Sequence, residues 1–205
     1  MSIENPLASG PRVDPVPPED VQEILEDAPE AAKANMERAE AILGALEDDE
    51  VPDTYDSEED WGFTFTGLFA HDPETFELWW AEEGHVFADG ELDRGFKELL
   101  GALIAHERGA SICIAWHTTS AKLEDVDPDR FLVAEDFENR KDDLPERERR
   151  ALEVGLASVQ RPEEVTDGDV QDLRDLGYSD AAVVELVATA GTAAKFANFA
   201  LTLAV

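Results

Sequence analysis

The chain of 205 residues contains a single cysteine, Cys113, which excludes an intramolecular disulfide and therefore a disulfide-stabilised scaffold. Basic residues are also scarce: 16 lysines and arginines stand against 49 aspartates and glutamates, which gives a net charge of −33. Nucleic acid and anionic membranes would both repel this surface, so we expect neither as a partner. The sequence has no apolar run near the ~18 residues of a membrane span. Because the N-terminus also lacks the pattern of a signal peptide, we predict a cytoplasmic protein.

Apolar residues make up 43% of the chain and recur periodically, so the acidic composition does not indicate disorder. An acidic, lysine-poor surface around an ordinary core is typical of a salt-adapted protein. At molar salt the Debye length is ~3 Å, which screens most of the self-repulsion that opposes folding.

Helical spacing and helix caps dominate the sequence, and no paired strand signals occur, so we predict an all-α fold. Residues 1–17 are rich in proline and are expected to form a flexible lead-in. Residues 18–205 are predicted to form a single all-α domain. Within it, residues 18–60 form an N-terminal helical extension with an acidic loop, and residues 61–205 form the helical core.

The centre of the predicted core is the stretch from Phe96 to His117. Its apolar residues follow helical spacing and form one stripe: Phe96, Leu99, Leu100, Leu103 and Ile104. Gly109 ends this helix, and Ser111 is expected to cap a second one. The two helices form a hairpin, with Cys113 in the first turn of the second helix.

Three residues of this hairpin can carry chemistry, namely Glu98, Cys113 and His117. Cys113 and His117 are four residues apart and therefore project from one helix face. Glu98 lies ~16 Å before the turn and His117 ~12 Å after it, so they reach similar heights in a hairpin. The helix N-terminus and the imidazole are expected to lower the pKa of the Cys113 thiol, and the carboxylate to fix the imidazole tautomer.

A purely structural interpretation of these residues stays open from spacing alone. A lone cysteine is usually a small buried hydrophobe, and Glu98 can be a solvated residue of an acidic helix. Elsewhere, His71 and His85 lack the spacing of metal ligands, and the sequence has no glycine-rich phosphate loop or paired-cysteine zinc site. We therefore predict no cofactor and no metal.

At these three residues the chain resembles the carboxymuconolactone decarboxylase and alkylhydroperoxidase superfamily. The peroxidase branch has a glutamate, eleven residues, Cys-x-x-Cys, three residues and a histidine; Glu98, Cys113 and His117 occupy three of these positions. The resemblance implies a helical bundle with a central hairpin. It also implies a homo-oligomer, with dimers, trimers and hexamers all plausible.

The first cysteine of the pair is replaced by Ala110. In the enzymes that the motif resembles, the second cysteine attacks the peroxide and the first resolves the sulfenic acid. The resemblance therefore implies a peroxidase-like oxidoreductase with Cys113 as nucleophile and an external thiol as reductant. Two alternatives remain: a decarboxylase-type lyase acting on a small organic acid through His117 and Glu98, and a non-catalytic scaffold.

Overall fold

The computed structural model describes residues 11–17, 20–21, 38, 41–42, 61–124 and 126–203. These residues form helices, turns and loops without a β-strand, which confirms the predicted all-α class. From residue 61 onward the described chain contains nine α-helices. They are α1 (Trp61–Phe69), α2 (Pro73–Val86), α3 (Arg94–Arg108), α4 (Ser111–Leu123), α5 (Pro128–Glu135), α6 (Phe137–Arg140), α7 (Glu146–Gln160), α8 (Asp167–Asp175) and α9 (Asp180–Leu203).

The helices belong to two compact units. The first is drawn from Met1–His85 and Asn198–Val205, and the second comprises Val86–Ala197. The predicted acidic loop at residues 48–60 lies outside the described residues, as does most of the predicted helical extension before it. The single domain predicted for residues 18–205 stays a prediction.

An aromatic cluster organises the first unit. Phe69 stacks on Phe199 with ring centroids 3.9 Å apart, and Trp79 meets Phe69 edge to face. Residues 11–17 of the predicted lead-in form no helix, and within this unit the Val16 amide donates to the Gly67 carbonyl at 3.0 Å. The aromatic segment that starts at residue 61 is the helix α1.

Helix α3 is the centre of the second unit. Every residue from Gly95 to Ala105 is buried, because α4, α5 and α7 all pack against this helix. The apolar stripe predicted a helix with one buried face, and that expectation was too narrow. The buried stretch includes Lys97 and Glu98, which are both 0% exposed. Two charged side chains therefore lie inside the unit and must find partners there.

A tight turn joins α3 to α4, as predicted. Gly109 adopts φ 70°, in the left-handed region, where a side chain is disfavoured. The amides of Gly109 and Ala110 donate to the carbonyls of His106 and Ala105, which is the bonding pattern of a Schellman motif. The expected cap was wrong, however, since Ser111 is the first helical residue and Ala110 occupies the N-cap position without a side-chain bond. Cys113 still lies in the first turn of α4.

The segment after α2 is fixed by a carboxylate from α9. Helix α2 ends at Val86. Glu185 accepts hydrogen bonds from the Leu92 amide at 2.7 Å and from Lys97 Nζ at 2.9 Å. The Glu185 carboxylate also lies directly against Gly90. A side chain at position 90 would collide with it, which favours glycine in this turn.

Helix α9 is the longest described helix. Its length and hydropathy alone would allow it to cross a membrane, yet half of its most apolar 18-residue stretch is buried in the protein. Ser179 caps its start by accepting a hydrogen bond from the Ala182 amide at 3.0 Å. Glu185 is one of the few charged residues in this helix, and it binds Lys97 and the Leu92 amide.

The N-terminus of α8 has a full capping box with an added ion pair. Thr166 Oγ1 accepts from the Asp169 amide, and the Asp169 carboxylate accepts from the Thr166 amide at 2.7 Å. Arg150 on α7 also binds Asp169, and it donates to Asp172 at 3.0 Å. The hydrogen bonds from Thr166 and then the Arg150 guanidinium lower the pKa of Asp169 from its ordinary 3.8 to about 2.

Replacing Asp169 by Asn should therefore destabilise the protein in a pH-dependent way. The folded state binds the Asp169 proton less readily than the unfolded state, so its contribution is present above pH ~4 and is lost as pH falls through about 2. We expect a loss of about 1 kcal/mol at pH 7, typical of a helix cap, and a difference from the native sequence that vanishes as the pH drops below about 2. Thermal unfolding across this pH range measures it. Asp175→Asn, at the other end of α8, is the matched control; a similar loss there would contradict the assignment.

Candidate functional site

Glu98 and His117 meet inside the second unit, where α3 faces α4. His117 Nδ1 lies 2.8 Å from Glu98 Oε2, and the two side chains are 6% and 0% exposed. The structure thus confirms the length argument that put these residues at similar heights on facing helices. Because Glu98 is buried, it is not the solvated residue of an acidic helix that the structural interpretation allowed.

Ser120 completes this arrangement. Its hydroxyl donates to Glu98 Oε1 at 2.7 Å, so both oxygens of the carboxylate are engaged. A carboxylate only accepts hydrogen bonds, and therefore Nδ1 of His117 carries the proton that points at Oε2. Among the described residues Glu98 is the imidazole's only hydrogen-bond partner, so Nε2 is a bare nitrogen available as a base.

Close packing fixes the plane of the imidazole. Phe87 stacks against the His117 ring, with centroids 5.1 Å apart and an interplanar angle of 27°. The ring also lies directly against the α3 backbone at Gly101. A Cβ at that position would come within 2.6–2.7 Å of three ring atoms. The glycine is therefore required for the approach of the two helices at the site.

Cys113 is buried in the same part of the unit, with 6% of its surface exposed. Burial raises the pKa of its thiol from 9.0 to about 12. The expectation that the helix N-terminus and the imidazole lower this pKa was wrong, because the cost of placing a charged thiolate away from water exceeds the benefit of the unpaired helix amides. At neutral pH the resting side chain is a thiol.

The thiol and the imidazole lie one helical turn apart on α4 but are not directly bonded. Within the described part of the chain, no hydrogen bond links Cys113 to His117, whose Nδ1 faces Glu98. Ala110, which stands where the dithiol motif has its first cysteine, is also buried. The arrangement is an oriented base with a neutral thiol nearby, rather than a preformed thiolate.

Sequence reasoning missed a second ion pair next to the site, in which Lys97 is buried and Glu185 is partly exposed. Lys97, the neighbour of Glu98 in α3, donates to Glu185 and to the carbonyl of Ala88. Ala88 directly follows Phe87, so this pair holds the segment that places Phe87 on the imidazole. The sequence feature that could have revealed this pair is that Glu185 is one of only two charged residues between Ala181 and Val205. A charge retained in such a stretch predicts a specific partner.

The described residues contain no group of three or more histidine, cysteine, aspartate or glutamate side chains placed to hold a metal ion. His71 instead lies 2.8 Å from the Asp14 carbonyl, and His85 is at the end of α2. Both histidines are also distant from Cys113 and His117 in the sequence.

Comparison with solved structures gives the fold a relative. The chain superposes on an uncharacterized peroxidase-related protein from Ralstonia eutropha JMP134, described as an alkylhydroperoxidase AhpD core, with a TM-score of 0.64 and 20% identity over 87% of this chain and 86% of that one. The chain has the alkylhydroperoxidase fold. A peroxidase-related protein from Silicibacter sp. TM1040 shares this fold with a TM-score of 0.63 and 16% identity, over 77% of this chain and 86% of that one.

The alkylhydroperoxidase fold also occurs in an enzyme with another activity. A cysteine-to-alanine variant of the debrominase Bmp8, solved in complex with 2,3,4-tribromopyrrole, matches with a TM-score of 0.68 and 17% identity over 94% of this chain and 89% of that one. By sequence, the chain matches no protein-family profile and no curated protein. The fold is therefore shown, and the reaction has to be argued from the site.

Substituting Gly101 by Ala should displace the imidazole. Alanine favours a helix over glycine by up to ~1 kcal/mol, but the new methyl group overlaps the His117 ring. We expect a net destabilisation of about 1–3 kcal/mol, the usual range for overpacking, measured by denaturant unfolding. Gly191→Ala in α9 is the matched control, because nothing lies within 4 Å of its Cβ position, and it should stabilise the protein. Equal stabilisation by both changes would contradict the close approach at Gly101.

Proposed function

We propose that this protein is a thiol-dependent peroxidase with a single reactive cysteine, Cys113. One observation carries the proposal: a fully buried carboxylate, Glu98, fixes His117 so that a bare Nε2 is presented on the α4 face that also carries the chain's only thiol. The peroxidase-related proteins that share the fold support this choice of chemistry.

In the proposed first step, His117 acts as general base for a thiol that is neutral at rest. Nε2 takes the thiol proton as the sulfur attacks one peroxide oxygen, and the O–O bond breaks. The protonated imidazole gives that proton to the departing alkoxide, which leaves as an alcohol, and Cys113 becomes a sulfenic acid. Because the resting structure has no thiol–imidazole hydrogen bond, this transfer requires a side-chain rotation or a bridging water.

The second step needs thiols from outside the chain. With Ala110 in place of a second cysteine, an external thiol condenses with the sulfenic acid to give a mixed disulfide and water. A second external thiol then releases the Cys113 thiol and a small disulfide. Each cycle thus reduces one peroxide by two electrons and oxidises two thiols.

A lyase function is the second candidate, because the thiol is not needed to complete the base. Glu98, Ser120 and His117 are hydrogen-bonded to one another without the thiol, and the raised pKa of Cys113 makes it a weak nucleophile by itself. In this case Nε2 removes a proton from a carbon acid, and Cys113 only lines the site.

Peroxide treatment separates the two candidates. We expect cumene hydroperoxide to convert Cys113 to a sulfenic acid that an added dimedone trap captures, measured by mass spectrometry at high salt. A neutral hydroperoxide is the suitable probe because the chain carries a charge of −33. His117→Gln should slow trapping by on the order of 100-fold, the lower range for loss of a general base. Ala110→Cys should shorten the lifetime of the sulfenic acid by forming a disulfide.

The control is His106→Gln, which removes an imidazole outside the Glu98 network and should leave trapping unchanged. Trapping that does not depend on His117 would contradict the proposed base. A folded protein whose Cys113 is never oxidised would reject the peroxidase. In that event, retention of lyase activity by Cys113→Ser on a carbon acid would establish the second candidate.

We also propose that the protein assembles as a homo-oligomer. Helix α9 presents an outward row of apolar or small residues in the second unit, among which Val184 is 70% and Val187 45% exposed. Such a row costs solvation free energy unless another surface covers it. A second copy of the chain is the partner that we propose for this apolar row.

Light scattering at high salt tests this assembly. We expect a mass of at least twice 22.5 kDa for the native chain and a shift toward the monomer for Val184→Glu. Leu132→Glu on α5 is the matched control, because Leu132 is exposed at 41% but lies outside the α9 row. A native chain that is monomeric at all protein concentrations would refute the proposal.

A further inference from the structure

The hydroxyl of Ser120 is buried as completely as the carboxylate that it contacts. Ser120 is 1% exposed and Glu98 0%, and their oxygens lie 2.7 Å apart. Water has little access to this position, and the Ser120 hydroxyl donates to Oε1. His117 Nδ1 lies at hydrogen-bond distance from the other oxygen, Oε2.

The two donors come from one helix at a spacing that makes them a single clamp. His117 and Ser120 are three residues apart on α4, so they project from the same face toward α3. Each engages a different oxygen of the same carboxylate. The terminal torsion of a glutamate side chain is soft, and one donor alone does not determine it. Two donors at fixed separation do determine it.

We propose that Ser120 is a positioning residue of this site: it locks the rotation of Glu98 and thereby keeps His117 in the Nδ1–H tautomer with Nε2 bare. The inference deepens the proposed function, which depends on a bare Nε2, but its central readout does not require peroxidase activity. Ser120 touches neither the thiol nor the peroxide in this scheme, and it acts through Glu98.

A purely structural role predicts something different. If Ser120 only satisfied a buried carboxylate, removing its hydroxyl would lower stability and leave the protonation pattern of the ring unchanged. If Ser120 positions Glu98, removal lets the carboxylate rotate away from Nδ1. The imidazole then exchanges between its two neutral tautomers, and Nε2 is protonated in part of the population.

The test is imidazole ¹⁵N NMR on the full chain at a pH where the ring is neutral. The chain has four histidines, and the His117 signals are identified by their loss in His117→Gln. In the native protein we expect Nδ1 at a protonated-type shift and Nε2 at a bare-type shift. In Ser120→Ala both shifts should move toward the averaged values of a tautomer mixture, and Ser120→Thr, which keeps the hydroxyl, should restore the native pattern.

Ser158→Ala is the matched control. Ser158 also donates its hydroxyl at 2.7 Å inside this unit, but to the Gly155 carbonyl on α7, so its removal should leave the His117 shifts in place. In the peroxide assay, Ser120→Ala should lower kcat about tenfold, consistent with the loss of one hydrogen bond to a charged group, with KM changed less than twofold.

The possible failures are distinguishable. Native His117 shifts in a folded Ser120→Ala would overturn the positioning role, whatever the activity. A native protein inert to peroxide would reject the proposed function, but a tautomer shift in Ser120→Ala would still support the positioning role. If Ser120→Ala does not fold, Ser120→Cys replaces it, because it keeps the volume and supplies only a weak donor; unchanged shifts in that variant would equally overturn the inference.

Discussion

The second unit depends on a carboxylate that has been removed from water. An unpaired charge at the position of Glu98 would cost several kcal/mol, so the structure around it has to supply partners with good geometry. Helix α4 supplies two of them, and the close approach that lets them reach is possible because α3 has a glycine at position 101. The same contacts therefore determine both the packing of the two hairpin helices and the orientation of the imidazole.

The same burial acts on the thiol in the opposite direction. Exclusion of water strengthens the Glu98–His117 hydrogen bond but disfavours a thiolate at Cys113, whose pKa rises to about 12. In the proposed reaction, the charge on the Cys113 sulfur is therefore created during the attack, by a base that is already oriented. The orientation of His117 thus determines the reactivity proposed for a sulfur atom to which it is not bonded at rest.

Sequence reasoning was successful where the interactions are local. Helix rise and the Gly109 turn were enough to bring Glu98 opposite His117. It failed where the decisive partner is distant. The thiol pKa depends on the surrounding helices rather than on the first turn of α4. The segment that follows α2 is bound by Glu185, which is 99 residues beyond Val86 in the chain.

The site is unusual in being short along the chain and deep in the fold. Residues 98–120 contain the carboxylate, the thiol, the imidazole and the hydroxyl, so all of them leave the ribosome within a few seconds of one another at ordinary rates of synthesis. Before α5, α7 and α9 follow, however, nothing excludes water from this segment. The burial that raises the pKa of the Cys113 thiol is therefore acquired only after those later helices have been made.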